Sequence, residues 1–139
     1  MIKTSEHVEQ STFIDTVLWQ YRSREDFIRP LLFAIPNGAY LGGNRPAVMS
    51  KLKKEGFRNG AADVLYLQSR GEYGYLALEF KTIERKRSRD GGLSPDQAEF
   101  LRSVSLGGGL AAVCYGAEEA IEAFSQYMAL PIRVTLPAP

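Results

Sequence analysis

The sequence predicts one α/β domain over residues 1–139, a mixed β-sheet flanked by α-helices in the order αβαββαβα. Three observations predict it. Apolar residues recur at helical spacing near the N-terminus, after Pro95 and after Ala117. Between them lie short apolar runs of strand-like composition bounded by Gly and Pro. Two of those runs flank a polar, glycine-containing turn at Gln68–Gly74, which is the pattern of a β-hairpin.

The first helix is expected over Ser5–Arg22, with Ser5 as N-cap and Phe13, Ile14, Val17, Leu18 and Tyr21 on one stripe. Glu6 and Gln10 fall in the middle of that stripe and Glu9 toward its edge. A carboxylate on a buried helix face needs a partner, whereas one in the first turn of a helix is already favoured by the helix dipole. Ser23–Arg29 is polar and ends the helix before Pro30. Leu31–Ile35 is a strand stopped by Pro36-Asn37-Gly38, and Gly38–Asn44 a flexible loop. A short helix over Ala47–Glu55 ends at Gly56, a residue suited to the left-handed position after a helix.

The hairpin follows, with Gly60–Leu67 and Tyr75–Lys81 as its arms. Thr82–Gly92 reads as a mobile basic loop. Leu93-Ser94-Pro95-Asp96-Gln97 opens a helix, with Ser94 as N-cap, Pro95 at the first position and Gln97 closing a capping box. Phe100, Leu101 and Val104 form that helix's core side. After Gly107-Gly108-Gly109, Leu110–Tyr115 reads as a central strand covered on both faces. A last helix is expected over Ala117–Leu130 with Ile121, Phe124 and Met128 inward, then an edge strand at Ile132–Leu136.

Composition excludes several classes. Hydrophobic residues make up 45% and charged residues 24%, with a net charge of +1, so nothing marks a polycation. Nucleic-acid binding would rest on a local patch. With one His and one Cys, a Cys/His zinc cage is excluded, and Cys114 reads as a buried small hydrophobe. No apolar run is long enough to span a membrane, and no hydrophobic signal core opens the chain, so a cytoplasmic location is expected.

The chemistry concentrates in Gly60–Lys81. In an extended strand Glu79 and Lys81 share a face, and a hairpin closing near Gly71–Glu72 sets Asp63 opposite Glu79. Asp is disfavoured in strands, and two adjacent carboxylates repel unless a cation lies between them. Mg²⁺ suits such a pair, since it takes carboxylate oxygens together with water and substrate phosphate. The competing reading is a solvent-exposed sheet face carrying a Glu–Lys pair. Lys51, Lys53, Lys54, Arg58 and Arg45 precede this stretch, and Arg85, Lys86, Arg87 and Arg89 follow it. They are candidate phosphate contacts, or else ordinary solvated faces.

The ordered set of a helix acid, Gly60-x-x-Asp63, Glu79-x-Lys81 and Leu93-Ser94-Pro95-x-Gln97 resembles the VRR-NUC family (virus-type replication-repair nucleases). That family is a branch of the PD-(D/E)XK nuclease superfamily. Glu6-x-x-Glu9-Gln10, Ile35-Pro36-Asn37-Gly38 and Ala111–Ala120 extend the resemblance across residues 5 to 128. It implies a restriction-endonuclease-like core and a Mg²⁺- or Mn²⁺-dependent DNA phosphodiesterase. Small stand-alone members resemble Holliday-junction resolvases, so the resemblance also implies a homodimer acting on branched DNA in a bacterial or phage-infected cell.

By position it makes Asp63 and Glu79 metal ligands with the Phe80 carbonyl, Lys81 the catalytic lysine, Gln97 the helix glutamine beside it and Glu6 the acid of the first helix. Ala62 stands where many members have Pro. A non-catalytic branched-DNA-binding module and an RNA-cleaving nuclease are the competing functions. The C-terminal helix and the Pro131–Leu136 tail are candidate dimer surfaces.

Overall fold

The computed structural model describes residues 5–36 and 45–133, without the side chains of Glu25 and Arg45. The expected Gly38–Asn44 loop, the Arg45 side chain and Val134–Leu136 of the expected last strand lie outside the described residues. Helices α1 (Glu6–Gln20), α2 (Glu25–Ile28), α3 (Arg45–Lys54), α4 (Pro95–Leu106) and α5 (Ala117–Met128) surround strands β1 (Leu32–Ala34), β2 (Val64–Tyr66), β3 (Leu76–Lys81) and β4 (Leu110–Tyr115). The strands form one mixed sheet in the order β1-β2-β3-β4, antiparallel except for the parallel β3–β4 pair.

Alternation along the strands divides the core. Val64, Tyr66, Leu76, Leu78, Phe80 and Cys114 face α1 and α5, where Phe13, Val17, Phe124 and Tyr127 are fully buried. Aromatic rings knit this layer, with Tyr66 and Phe124 centroids 5.1 Å apart and Phe13 and Phe80 5.5 Å apart. On the other face Ala62 and Ala77 pack with Leu101 and Val104 of α4. Glu79 and Lys81 share that second face with Ala77, since all three alternate with Leu78 and Phe80.

Local signals set the ends of the elements. The Ser5 hydroxyl accepts from the Val8 N–H at the start of α1. At the end of α3, Phe57 N–H donates to Leu52 and Gly56 N–H to Lys53, a Schellman closure that Gly56 permits with φ +105°. The hairpin turns through Gly71-Glu72, with Arg70 and Tyr73 exchanging both backbone hydrogen bonds.

Four expectations change. Ser23–Arg29 is not a plain connection: it coils into 3₁₀ turns and the one-turn α2, whose Ile28 is buried. A four-residue helix is too short to show periodicity. Leu110–Tyr115 is covered on both faces but lies at the sheet's edge, and β3 is the fully buried inner strand. Continuous apolarity reports which faces are covered, not lateral position.

Thr82–Gly92 is folded rather than an open loop. Ile83–Arg87 forms a 3₁₀ helix, Lys86 pairs with Glu119 at 2.6 Å, and the Tyr115 hydroxyl donates to Gly91 O. Ile132 makes only an isolated bridge to Arg70 among the described residues. The apolar face of α5 is buried within the molecule's own core, with Phe124 and Met128 inward as expected, which leaves its polar side outward.

Candidate active site

The β2–β3 ladder begins at Val64↔Leu78, and Asp63, one residue earlier, bends and turns its N–H to Leu78 O instead of carrying the register on to Glu79. Asp63 precedes β2 and binds β3 twice. Its N–H donates to Leu78 O at 3.0 Å, and its Oδ2 accepts from the Phe80 N–H at 2.7 Å. Its carbonyl accepts from the Ile35 N–H at 2.9 Å, so both neighbouring strands hold this residue. Within an extended residue N–H and C=O project toward the same edge, so the Phe80 carbonyl points to the Asp63 side of β3.

Glu79 and Lys81 are 1% and 6% exposed, which rules out the solvent-exposed face considered from sequence. Glu6 differs from expectation in the other direction: it is exposed rather than buried along the helix stripe.

Gln97 ties the buried charges together. Its Oε1 accepts from Lys81 Nζ at 3.0 Å and from the Ser94 N–H at 2.9 Å. Its Nε2 donates to Glu79 Oε1 at 2.8 Å. The Ser94 hydroxyl accepts from the Gln97 N–H, which completes the capping box. One side chain therefore caps α4 and bridges a carboxylate to an ammonium. Lys81 Nζ also lies 3.7 Å from Glu79 Oε1. Glu79 Oε2, by contrast, is buried and has no hydrogen-bond partner among the described residues.

Burial dominates the electrostatics. It pushes the Glu79 carboxyl up to about 8; Asp63 adds to the rise, and Lys81 opposes it. Burial also raises Asp63, against the pull of the Phe80 N–H, with Glu6 contributing repulsion. A buried carboxyl group and a half-buried one beside Lys81 form a centre short of positive charge.

Glu6 and Glu9 separate cleanly. Glu6 lines a cleft of about 310 Å³ with Asp63, His7 and Gln10. Glu9 turns instead toward the end of β4 beside Lys81, where Oε2 accepts from the Ala117 N–H at 2.5 Å and caps α5, whose own N-cap position is Gly116.

No family model matches the sequence, and no curated protein matches it. A solved structure described as a VRR_NUC domain protein does, with a TM-score of 0.71 and 20% sequence identity over 95% of this chain and 94% of that one. The chain has the VRR-NUC fold.

On that fold the basic residues do not gather into one patch. Lys53 and Arg58 line a cleft of about 640 Å³ beside α4. Lys51 and Lys54 are exposed on α3 without lining it, and Lys86 is tied to Glu119. Arg85, Arg87 and Arg89 are exposed along the 3₁₀ segment and the turn after it.

Two further residues hold the VRR-NUC frame in place and escape sequence reading. Gly60, at φ +85°, meets the first turn of α4 so closely that a Cβ would sit 2.5 Å from the Asp96 carbonyl carbon. It locks the approach to Asp63 against the helix that carries Gln97. Arg70, 5% exposed, donates to Met128 O, Leu130 O and Gln68 Oε1, and so closes the C-terminal end of α5 onto the hairpin. Gly60's part is hinted at only by its glycine. Arg70 sits in a stretch that reads as a solvated turn.

Proposed function

We propose that this protein is a Mg²⁺- or Mn²⁺-dependent phosphodiesterase that cleaves DNA in the cytoplasm, with branched or junction DNA as its substrate and a pair of copies as the acting unit. The observation that carries the reading is Glu79 Oε2, buried without a hydrogen-bond partner among the described residues, on a strand whose Phe80 N–H holds the Asp63 carboxylate and whose Lys81 lies beside Glu79. An unsatisfied buried carboxylate oxygen is costly unless a cation completes it.

The donor set fits such an ion. Among the described residues no three His, Cys, Asp or Glu side chains gather into a cage. A cation held here takes two carboxylates and draws its remaining oxygens from the chain, water and substrate, which is the habit of Mg²⁺ rather than of zinc. Asp63 and Glu79 would hold it, with the Phe80 carbonyl on the same edge. When bound, the ion supplies a polarised phosphoryl oxygen and a more acidic water.

The remaining work falls to this chain's side chains. Lys81 is placed by Gln97 Oε1 rather than left to swing, so its charge is preorganised toward the negative charge that develops on the phosphoryl group. The Gln97 amide is neutral and does not titrate, and its role is to hold Lys81 and Glu79 in fixed orientation. Glu6, across the cleft from Asp63, reaches water around the site. Two strands of a branch lie farther apart than one small domain spans, which favours a symmetric pair.

Incubation of end-labelled four-way junction, forked and linear duplex DNA, and of RNA, with Mg²⁺, Mn²⁺ or EDTA tests this. Metal-dependent cutting of branched DNA is the expected result. Binding of branched duplex without nicking in either metal would make the protein a binding module. Cutting confined to RNA would move the same chemistry to another sugar.

A further inference from the structure

The cleft at Glu6 and Asp63 does not end there. It shares Ile35 and Pro36 with a neighbouring concavity of about 320 Å³, whose wall includes Gly60 and Ala61 on the approach to Asp63. That concavity in turn shares Phe57, Arg58, Asn59 and Phe100 with the cleft of about 640 Å³ beside α4. The three make one trench that starts at the candidate scissile-phosphate position and runs away from it along α4.

Its chemistry changes along the way. Next to Asp63 it is carboxylate-lined. Farther on, two half-buried phenylalanines from distant parts of the chain face into it with the amide of Asn59 and the guanidinium of Arg58. Beside α4 the wall also carries Asp96, which packs against Gly60, together with Glu99 and Lys53. Lys53 and Arg58 offset Asp96 and Glu99 there, so the cleft offers no excess positive charge to a phosphate. Aromatic faces beside an amide and a guanidinium suit a neutral, flat, hydrogen-bonding group.

We propose that the trench is a nucleobase subsite that takes one unstacked base of the nucleotide flanking the phosphate at Asp63 and lays it against Phe57 and Phe100. The inference rests on the phosphodiesterase reading for the identity of the ligand, and it adds how a branched substrate is recognised. A branch point already presents bases free of their stack, so little unstacking has to be driven by the protein. Fully paired duplex offers no base to the trench. Asn59 and Arg58 supply edge contacts to the base, and the rings supply the platform.

The test is made in EDTA, so that binding is read without cleavage. A short single strand carries 2-aminopurine at successive positions, and both its fluorescence and its anisotropy-derived affinity are measured with wild type, Phe57→Leu and Asn59→Ala. Leucine keeps apolar packing at the end of α3 but removes the ring, and Asn59 is exposed, so its substitution leaves the packing intact. One probe position is expected to respond. Phe57→Leu should weaken binding about tenfold and abolish that response, and Asn59→Ala should weaken it several-fold.

An abasic residue at the responding position should reproduce the loss in wild type and add nothing in Phe57→Leu. Unchanged affinity in both variants, or indifference of wild type to the abasic residue, overturns the subsite. A wild type that gives the positional signal but cuts nothing in Mg²⁺ or Mn²⁺ keeps the subsite and removes the catalytic reading. Normal cutting with both variants binding as wild type does the reverse.

Discussion

Gln97 donates from Nε2 to Glu79 Oε1 at 2.8 Å while its Oε1 accepts from Lys81. Because Lys81 and the Ser94 N–H can only donate, the carboxamide is fixed in one orientation. The result is an alternating chain of ammonium, amide and carboxyl group, with Glu79 Oε2 buried and unpartnered among the described residues.

Removing that amide should separate its two duties. Gln97→Ala is expected to lower cleavage at least about tenfold and to cost about 1 kcal/mol of stability through the lost cap. Ser94→Ala should cost a similar stability while leaving most of the activity, since Gln97 keeps its contacts with Lys81 and Glu79. Chemical denaturation paired with single-turnover cleavage of both variants checks the difference. Equal activity loss in the two would mean that Gln97 acts only through the helix end.

The buried acids should trade stability for metal. Burial holds the Glu79 carboxyl at about 8, so wild type takes up a proton on folding at pH 7 and buries a charge beside Asp63 at pH 9. Without metal, Glu79→Gln should raise the melting temperature by a few degrees, about 1 kcal/mol, at pH 9 and by less at pH 7. Wild type should gain stability as Mn²⁺ is titrated in, and Glu79→Gln and Asp63→Ala should gain little. Asp63→Ala and Lys81→Ala should abolish cleavage with the fold intact by circular dichroism. Scanning calorimetry across a metal series reads all of this, and a wild-type melting temperature indifferent to Mg²⁺ and Mn²⁺ would count against a metal at this site.

The two acids of α1 should part company. Glu9 caps α5 across the fold, so Glu9→Ala is expected to destabilise by about 1–2 kcal/mol while cleavage at saturating metal is largely retained. Glu6 is exposed and faces Asp63 across a cleft, so Glu6→Ala should leave stability near wild type and reduce activity and Mn²⁺ affinity. Urea melts and metal-dependence curves of the pair decide it. The opposite assignment would make Glu9 the site residue.

Gly60→Ala tests the clamp between hairpin and helix. The added Cβ meets backbone atoms of Asp96 and Gln97 at 2.5–2.7 Å, and φ +85° is unfavourable for alanine. The expected cost is about 2 kcal/mol or more, with a loss of activity beyond what partial unfolding explains, because α4 carries Gln97 away from Glu79 when it yields. Activity measured well below the variant's melting temperature distinguishes displacement from unfolding. A fully active, stable Gly60→Ala would show that the helix can shift without cost.

Much of this was legible in one dimension. Ser94-Pro95-x-Gln97 announces a capped helix because capping is local. Asp63 and Glu79 can be paired from the hairpin because strand periodicity and a short turn determine register. Order, approximate boundaries and the candidate acids follow from such short-range rules.

Other features depend on residues far apart in the chain. Whether Glu79 and Lys81 face water or the interior depends on α4 lying over them, and nothing in a four-residue stretch reports what covers it. Glu9's service to α5, Gly60's contact with Asp96, and the meeting of Phe57 with Phe100 along one trench join positions 36 to 108 residues apart. Packing alone brings them together, and with them the burial that makes two ordinary carboxylates into a candidate site for a cation.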